Sequence, residues 1–118
     1  MIKLYIDGGT RHNNICLVDG KKIIVKVRNG ITGDPTNNEL EYLALLYALR
    51  YIQNNYKLRS ITIYSDSMLV VNQINGKWRV TTVTLRPLWE KCIKLMTDKI
   101  KIKWISRDFN LAGHVLEK

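Results

Sequence analysis

Two short strands written in one grammar constrain this chain more than any other feature. The first is Ile2-Lys3-Leu4-Tyr5-Ile6-Asp7 and the second Ile61-Thr62-Ile63-Tyr64-Ser65-Asp66. In the first, the period of two puts Ile2, Leu4 and Ile6 on one face and Lys3, Tyr5 and Asp7 on the other. Each strand stops on an Asp that follows a Tyr by two residues. Gly8-Gly9 then lets the backbone turn sharply and leaves room for a ligand to come close. If the strands are parallel neighbours, their axes lie ~4.8 Å apart. Asp7 and Asp66 then stand side by side at one sheet edge. Two such carboxylates repel unless a cation or a proton sits between them, so the pattern hints at a metal site.

The intervening sequence supplies the topology that this pairing needs. Residues 15–18 read as a strand, Asp19-Gly20 as a hairpin turn and 22–28 as a second alternating strand. With the opening strand these make an antiparallel meander. After a loop at 30–35, Thr36-Asn37-Asn38-Glu39-Leu40-Glu41 reads as a helix start with two overlapping capping boxes, Thr36 with Glu39 and Asn38 with Glu41. The helix carries Leu40, Leu43, Ala44, Tyr47, Ala48 and Tyr51 at 3.6-residue spacing and ends near Asn54-Asn55. Glu41 falls toward its apolar side. A short helix over 67–74 stops at Asn75-Gly76, and the basic-aromatic triplet Lys77-Trp78-Arg79 follows. Thr84 is expected to cap a second long helix with Leu85, Leu88, Trp89, Cys92, Leu95 and Met96 on its buried face. Residues 100–105 form the last strand. The order β-β-β-α-β-α-α-β predicts an α/β fold, one domain over 1–118, with helices packed on a mixed five-stranded sheet. A right-handed crossover through the long helix makes the two Asp-ended strands parallel.

Charge points to the partner. Nineteen Lys and Arg against ten Asp and Glu give a net charge of +9. A surface this basic favours a polyanion, nucleic acid first and an anionic membrane surface second. No run approaches the ~20 apolar residues of a membrane helix, and no signal peptide is evident. Cys16 and Cys92 lack metal-ligand spacing and are expected to be buried free thiols. The expected location is the cytoplasm, or the host-cell interior for a viral or mobile element. Asp7, Glu41 and Asp66, gathered at one edge of so basic a chain, need a reason. Metal-assisted phosphoryl chemistry supplies it, with two hard cations held by shared carboxylates.

Four blocks carry a resemblance. Tyr5-Ile6-Asp7-Gly8-Gly9, the ten residues from Thr36 to Leu45, Tyr64-Ser65-Asp66-Ser67-Met68-Leu69-Val70 and the closing Arg107-Asp108-Phe109-Asn110-Leu111-Ala112-Gly113-His114 resemble type 1 ribonuclease H, in that family's order and spacing. The resemblance implies a ribonuclease H-like fold and a metal-dependent endonuclease. Its activity would be cutting the RNA strand of RNA–DNA hybrids with two Mg²⁺ (or Mn²⁺) ions, leaving 5′-phosphate and 3′-hydroxyl ends. It implies that Asp7 bridges both ions and that Glu41 and Asp66 hold the one on the leaving-group side. It further implies hybrid contacts from Gly8, Gly9, Asn37, Asn38 and Gln73 in the minor groove, with Thr36 near a phosphate of the DNA strand. Two departures stand out. His114 occupies the place of the family's fourth carboxylate, with Asn110 and Asp108 as rivals for that ligand position. The basic helical protrusion of many members is missing, so Lys77, Trp78, Arg79 and Arg86 become its reduced substitute. The expected state is a monomer. A non-catalytic nucleic-acid-binding domain and another nuclease of the same fold are the alternatives.

Overall fold

A computed structural model describes residues 2–9 and 12–117, with side chains as far as His114. Strands β1 (Ile2–Gly9), β2 (His12–Asp19) and β3 (Lys22–Asn29) form the meander, and α1 (Asn37–Asn55) crosses to β4 (Ile61–Ser65). Helices α2 (Met68–Ile74) and α3 (Arg86–Leu95) lead to β5 (Ile100–Trp104), followed by 3₁₀ segments at Arg107–Phe109 and Leu111–Glu117. The sheet order is β3-β2-β1-β4-β5. β1 pairs antiparallel with β2 and parallel with β4, with Ile2 opposite Ile61 and Ile6 opposite Ser65. One residue further along, Asp66 leaves the sheet beside Asp7, which stays in β1 opposite Asn14 of β2, because the strand runs on through Gly8 and Gly9 instead of turning there as expected.

The core lies between one sheet face and the helices. Ile2, Leu4, Ile6, Ile15, Leu17, Ile61, Ile63, Ile100 and Ile102 are buried there, under α1 along β1 and β2 and under α2 along β4 and β5. Each such side chain stabilises the fold by roughly 1.5–3 kcal/mol. The single apolar stripe expected for α1 is too narrow. Tyr42, Leu45, Leu46, Leu49 and Ile52 are buried as well, while Leu43, Tyr47 and Tyr51 are only half-buried. The cause is position, since α1 packs on β1 and β2 on one side and on α3 on the other. A helix covered on both sides loses the simple amphipathic pattern.

Two cap assignments differ from expectation. The Thr36–Glu39 capping box forms in both directions, but Asn38 is already inside α1, and the Glu41 carboxylate instead accepts the Gly8 backbone N–H at 2.8 Å. A helix has one N-cap, so only the first of two overlapping signatures can use it. Thr84 does not cap α3, which begins at Arg86 after Leu85 with no side-chain cap. Pro87 in the first turn pre-sets φ where no backbone donor is needed. β2 also starts earlier than its apolar run suggests. Asn13 and Asn14 are buried in it because their amides donate to the carbonyls of Leu40 and Ala112, both at 3.3 Å. Cys16 and Cys92 are buried free thiols, as expected. Among the described residues, no helix is long and apolar enough to cross a membrane.

Candidate active site

Three elements deliver three acids to one point. Asp7 comes from the end of β1, Asp66 from just past β4 and Glu41 from the second turn of α1. One carboxylate oxygen from each lies within 4.8 Å of the other two. The frame around them is built from backbone and amide groups. The Gly8 N–H holds Glu41. The fully buried Asn110 donates through Nδ2 to the Ile6 carbonyl (2.9 Å) and to Asp66 Oδ2 (3.2 Å). Its Oδ1 accepts the Ala112 N–H at 3.2 Å. Backbone partners on both sides thus fix the amide with nitrogen toward the acids and oxygen away. Trp104 Nε1 donates to the Asp66 carbonyl, pinning the turn that carries that acid.

The cluster is electrostatically strained without a cation. Burial lifts the Asp7 carboxyl above its usual range, with Asp66 adding to the rise and His12, Arg107 and His114 opposing it. Burial likewise raises Glu41 from 4.5 to about 7, against the pull of the Gly8 N–H and with Asp7 and Asp66 pushing the same way as burial. A set of converging carboxylate oxygens that resists holding its full negative charge fits a hard divalent cation. A pH effect follows for the metal-free chain. A raised carboxyl binds its proton more tightly folded than unfolded, so stability is lost as pH climbs from 4.5 through about 7. The rise from 4.5 to about 7 caps the Glu41 share at roughly 3 kcal/mol. In EDTA the melting temperature should therefore be several degrees higher near pH 5 than near pH 8. A flat profile by circular dichroism would contradict this arrangement.

Asp7, Asp66, Arg107, Asp108, Gly113 and His114 line a cavity of about 330 Å³. His114 therefore faces the same hollow as the aspartates, but its Nε2 lies 3.3 Å from the Asp108 carbonyl oxygen and the ring is outside the carboxylate cluster. The other expected site residues divide. Gly8 and Gly9 end β1 beside the acids, and Thr36, Asn37 and Asn38 are exposed at the start of α1. Lys77, Trp78 and Arg79 are exposed in the α2–α3 connection, where Trp78, Arg79, Arg86 and Trp89 border a second hollow of about 380 Å³. That connection runs from Asn75 to Leu85 with no helix inserted. Gln73 differs from its expected role. It is buried, accepts the Tyr42 hydroxyl at 2.6 Å and donates to the Arg79 carbonyl, so its amide serves the framework.

Sequence reasoning assigns no site role to Arg107 or His12, yet both act electrostatically on Asp7. Arg107 stood within the closing block, three residues before Asn110, and the 3₁₀ turn Arg107–Phe109 returns it to the acids. His12 left no signal. It becomes a neighbour only because β2 pairs it with Gly9.

The profile of the reverse transcriptase-like family matches residues 14–118. Ribonuclease H of Clostridium botulinum is 32% identical over 94% of this chain and 82% of its own length. The chain belongs to the type 1 ribonuclease H family. Solved ribonucleases H agree in fold. The crystal structure of RNase H1 from Halobacterium salinarum superposes with a TM-score of 0.79 at 27% identity, covering 98% of this chain and 97% of that one. LC11-RNase H1 in complex with an RNA/DNA hybrid gives 0.76 at 25% identity, over 94% and 89%. Other curated relatives are longer, and this chain spans only 28%, 54% and 61% of three of them.

Proposed function

We propose that this chain hydrolyses the RNA strand of RNA–DNA hybrids, leaving 5′-phosphate and 3′-hydroxyl ends, with two Mg²⁺ or Mn²⁺ ions held by Asp7, Glu41 and Asp66. The observation that carries this reading is the three-carboxylate cluster, with oxygens within 4.8 Å, at the sheet edge of a chain of net charge +9. The hybrid-bound relative and the family of ribonucleases H support the choice of substrate.

Asp7, on β1 beside both Glu41 and Asp66, would be the ligand shared by the ions, and Glu41 and Asp66 would complete the site on the leaving-group side. When bound, the ions activate a water and stabilise the departing oxygen. The chain's own groups do the rest. Gly8 aims Glu41, and Asn110 holds Asp66 against the end of β1, so both carboxylates are oriented before substrate arrives. Arg107, on the cavity wall, meets a phosphate. The backbone at Gly8 and Gly9 and the side chains of Asn37 and Asn38 read the minor groove and its 2′-hydroxyls. Thr36 lies at a DNA phosphate. Lys77, Trp78, Arg79 and Arg86 track the DNA strand, with Gln73 supporting their loop from beneath. A labelled hybrid, incubated with each metal beside double-stranded DNA, double-stranded RNA and single strands, tests the reading. Binding without cleavage in either metal would leave a nucleic-acid-binding domain instead.

His114 takes the fourth ligand place in this scheme, since the Asn110 oxygen is turned away to the Ala112 N–H. A neutral imidazole adds no negative charge, and it suits Mn²⁺ better than Mg²⁺. His114→Asp should raise Mg²⁺-dependent cleavage severalfold, and His114→Ala should lower cleavage in both metals. Equal rates for His114→Ala and the parent in both metals would remove the histidine from the site.

A further inference from the structure

Alternation leaves three strands with a second face, turned away from α1. On it lie Lys3 and Tyr5 of β1, Thr62 and Tyr64 of β4, and Lys101 and Lys103 of β5. Strand register arranges them in two rows. Lys3, Thr62 and Lys101 form one, and Tyr5, Tyr64 and Lys103 the other. The tyrosine rings stack with centroids 5.2 Å apart and planes inclined by 22°, and both are half-exposed. All three lysines are exposed, and among the described residues none of them is in an ion pair. The closing segment Leu111–Glu117 packs on β1 and β2, where Asn14 reaches Ala112, while Lys101 and Lys103 of β5 stay exposed. The reaction proposed above uses none of these six residues.

Continuity with the acid edge gives the face a direction. Tyr5 precedes Asp7 by two residues on the same side of β1, and Tyr64 precedes Asp66 in the same way on β4. At about 3.3 Å per residue, the tyrosine row lies roughly 7 Å below the acids. We propose that this face binds single-stranded nucleic acid, as a track for the unpaired strand continuing from a duplex held at the acid edge. Exposed, unpaired lysines supply phosphate contacts, and aromatic rings on a sheet supply stacking surface that any base can use. The charge of the face excludes a basic partner. Ile23 and Val25 continue the same two rows through Val18 and Cys16, but they stand on β3 at the far edge of the sheet, two strands from the tyrosine pair.

Fluorescence anisotropy of the intact chain with labelled oligouridine in EDTA tests the binding. Three phosphate contacts predict a log affinity that falls with log salt at a slope of about −2. Lys101→Glu with Lys103→Glu should weaken oligouridine binding at least tenfold. Tyr5→Leu with Tyr64→Leu, which keeps the apolar bulk, should weaken it severalfold. The same lysine variants should lose much less affinity for a blunt hybrid. In cleavage, they should lose any advantage of a hybrid with an RNA overhang over a blunt one. An oligouridine affinity indifferent to charge reversal overturns the proposal. So does an equal loss on blunt hybrid, or tighter binding of polyglutamate than of oligouridine. The overhang comparison rests on the hybrid-cutting reading and the oligouridine comparison does not. A parent that binds oligouridine through this face yet cuts no hybrid would reject only the former.

Discussion

Asp7→Asn should lower hybrid cleavage by roughly three orders of magnitude while leaving hybrid binding intact or tighter. Asp7 is the β1 member of the three-acid cluster. Its carboxylate lies within 4.8 Å of Glu41 and Asp66, and burial and Asp66 both raise its proton affinity. Asparagine keeps the shape and one oxygen but removes the charge that would hold cations, and the basic surface proposed to meet phosphates is untouched. The same change should stabilise the metal-free fold near pH 8. It deletes one of the two acids that repel Glu41 and so brings the Glu41 carboxyl down from about 7. Three measurements decide the matter: cleavage of a labelled hybrid, hybrid affinity by anisotropy, and the melting temperature in EDTA. Near-parental cleavage would remove Asp7 from the centre of the site. A lower melting temperature would mean that the cluster is not strained by its charge.

What the sequence reveals and hides follows the range of the interactions involved. β1 and β4 are legible because alternation is local and the terminal Asp repeats. The Thr36–Glu39 box is legible because its partners lie three residues apart. Glu41 was half-legible. Its place on the inner side of α1 showed in the pattern, but its partner, the Gly8 N–H, is 33 residues away. Buried amides were the main losses. Asn13, Asn14 and Gln73 look like surface polar residues until strand pairing and helix packing bring them the carbonyls of Leu40, Ala112 and Arg79. The closing 3₁₀ segments have no period to read, so motif likeness flagged Asn110 and His114 there without showing which way either side chain faces. Only the fold turns the Asn110 oxygen away from the acids, to the Ala112 N–H.

Gly8→Ala should be the most damaging single methyl addition in the chain, and Gly9→Ala provides the control. A Cβ on Gly8 would be driven into the carbonyl group of Leu40 and the backbone nitrogen of Glu41. Those are backbone atoms in the first turns of α1, so no side-chain rotation can relieve the clash. The helix end must move off β1. That displaces Glu41 from the Gly8 N–H and opens the Asn13–Leu40 bond beside it. Overpacking of a rigid contact, together with these lost hydrogen bonds, costs about 2–4 kcal/mol. Cleavage should fall at least a hundredfold even at temperatures where the variant is fully folded, because a carboxylate displaced by about 1 Å from the proposed cation site loses its alignment. The three atoms nearest a Cβ on Gly9 all belong to the His12 ring, a side chain that can rotate where backbone cannot. Gly9→Ala should therefore cost less than about 1 kcal/mol, and His12→Ala should restore most of that cost. Chemical denaturation and single-turnover cleavage of the two glycine variants separate the effects. Equal stability and equal cleavage for both would show that the close approach of α1 to β1 does not set the position of Glu41.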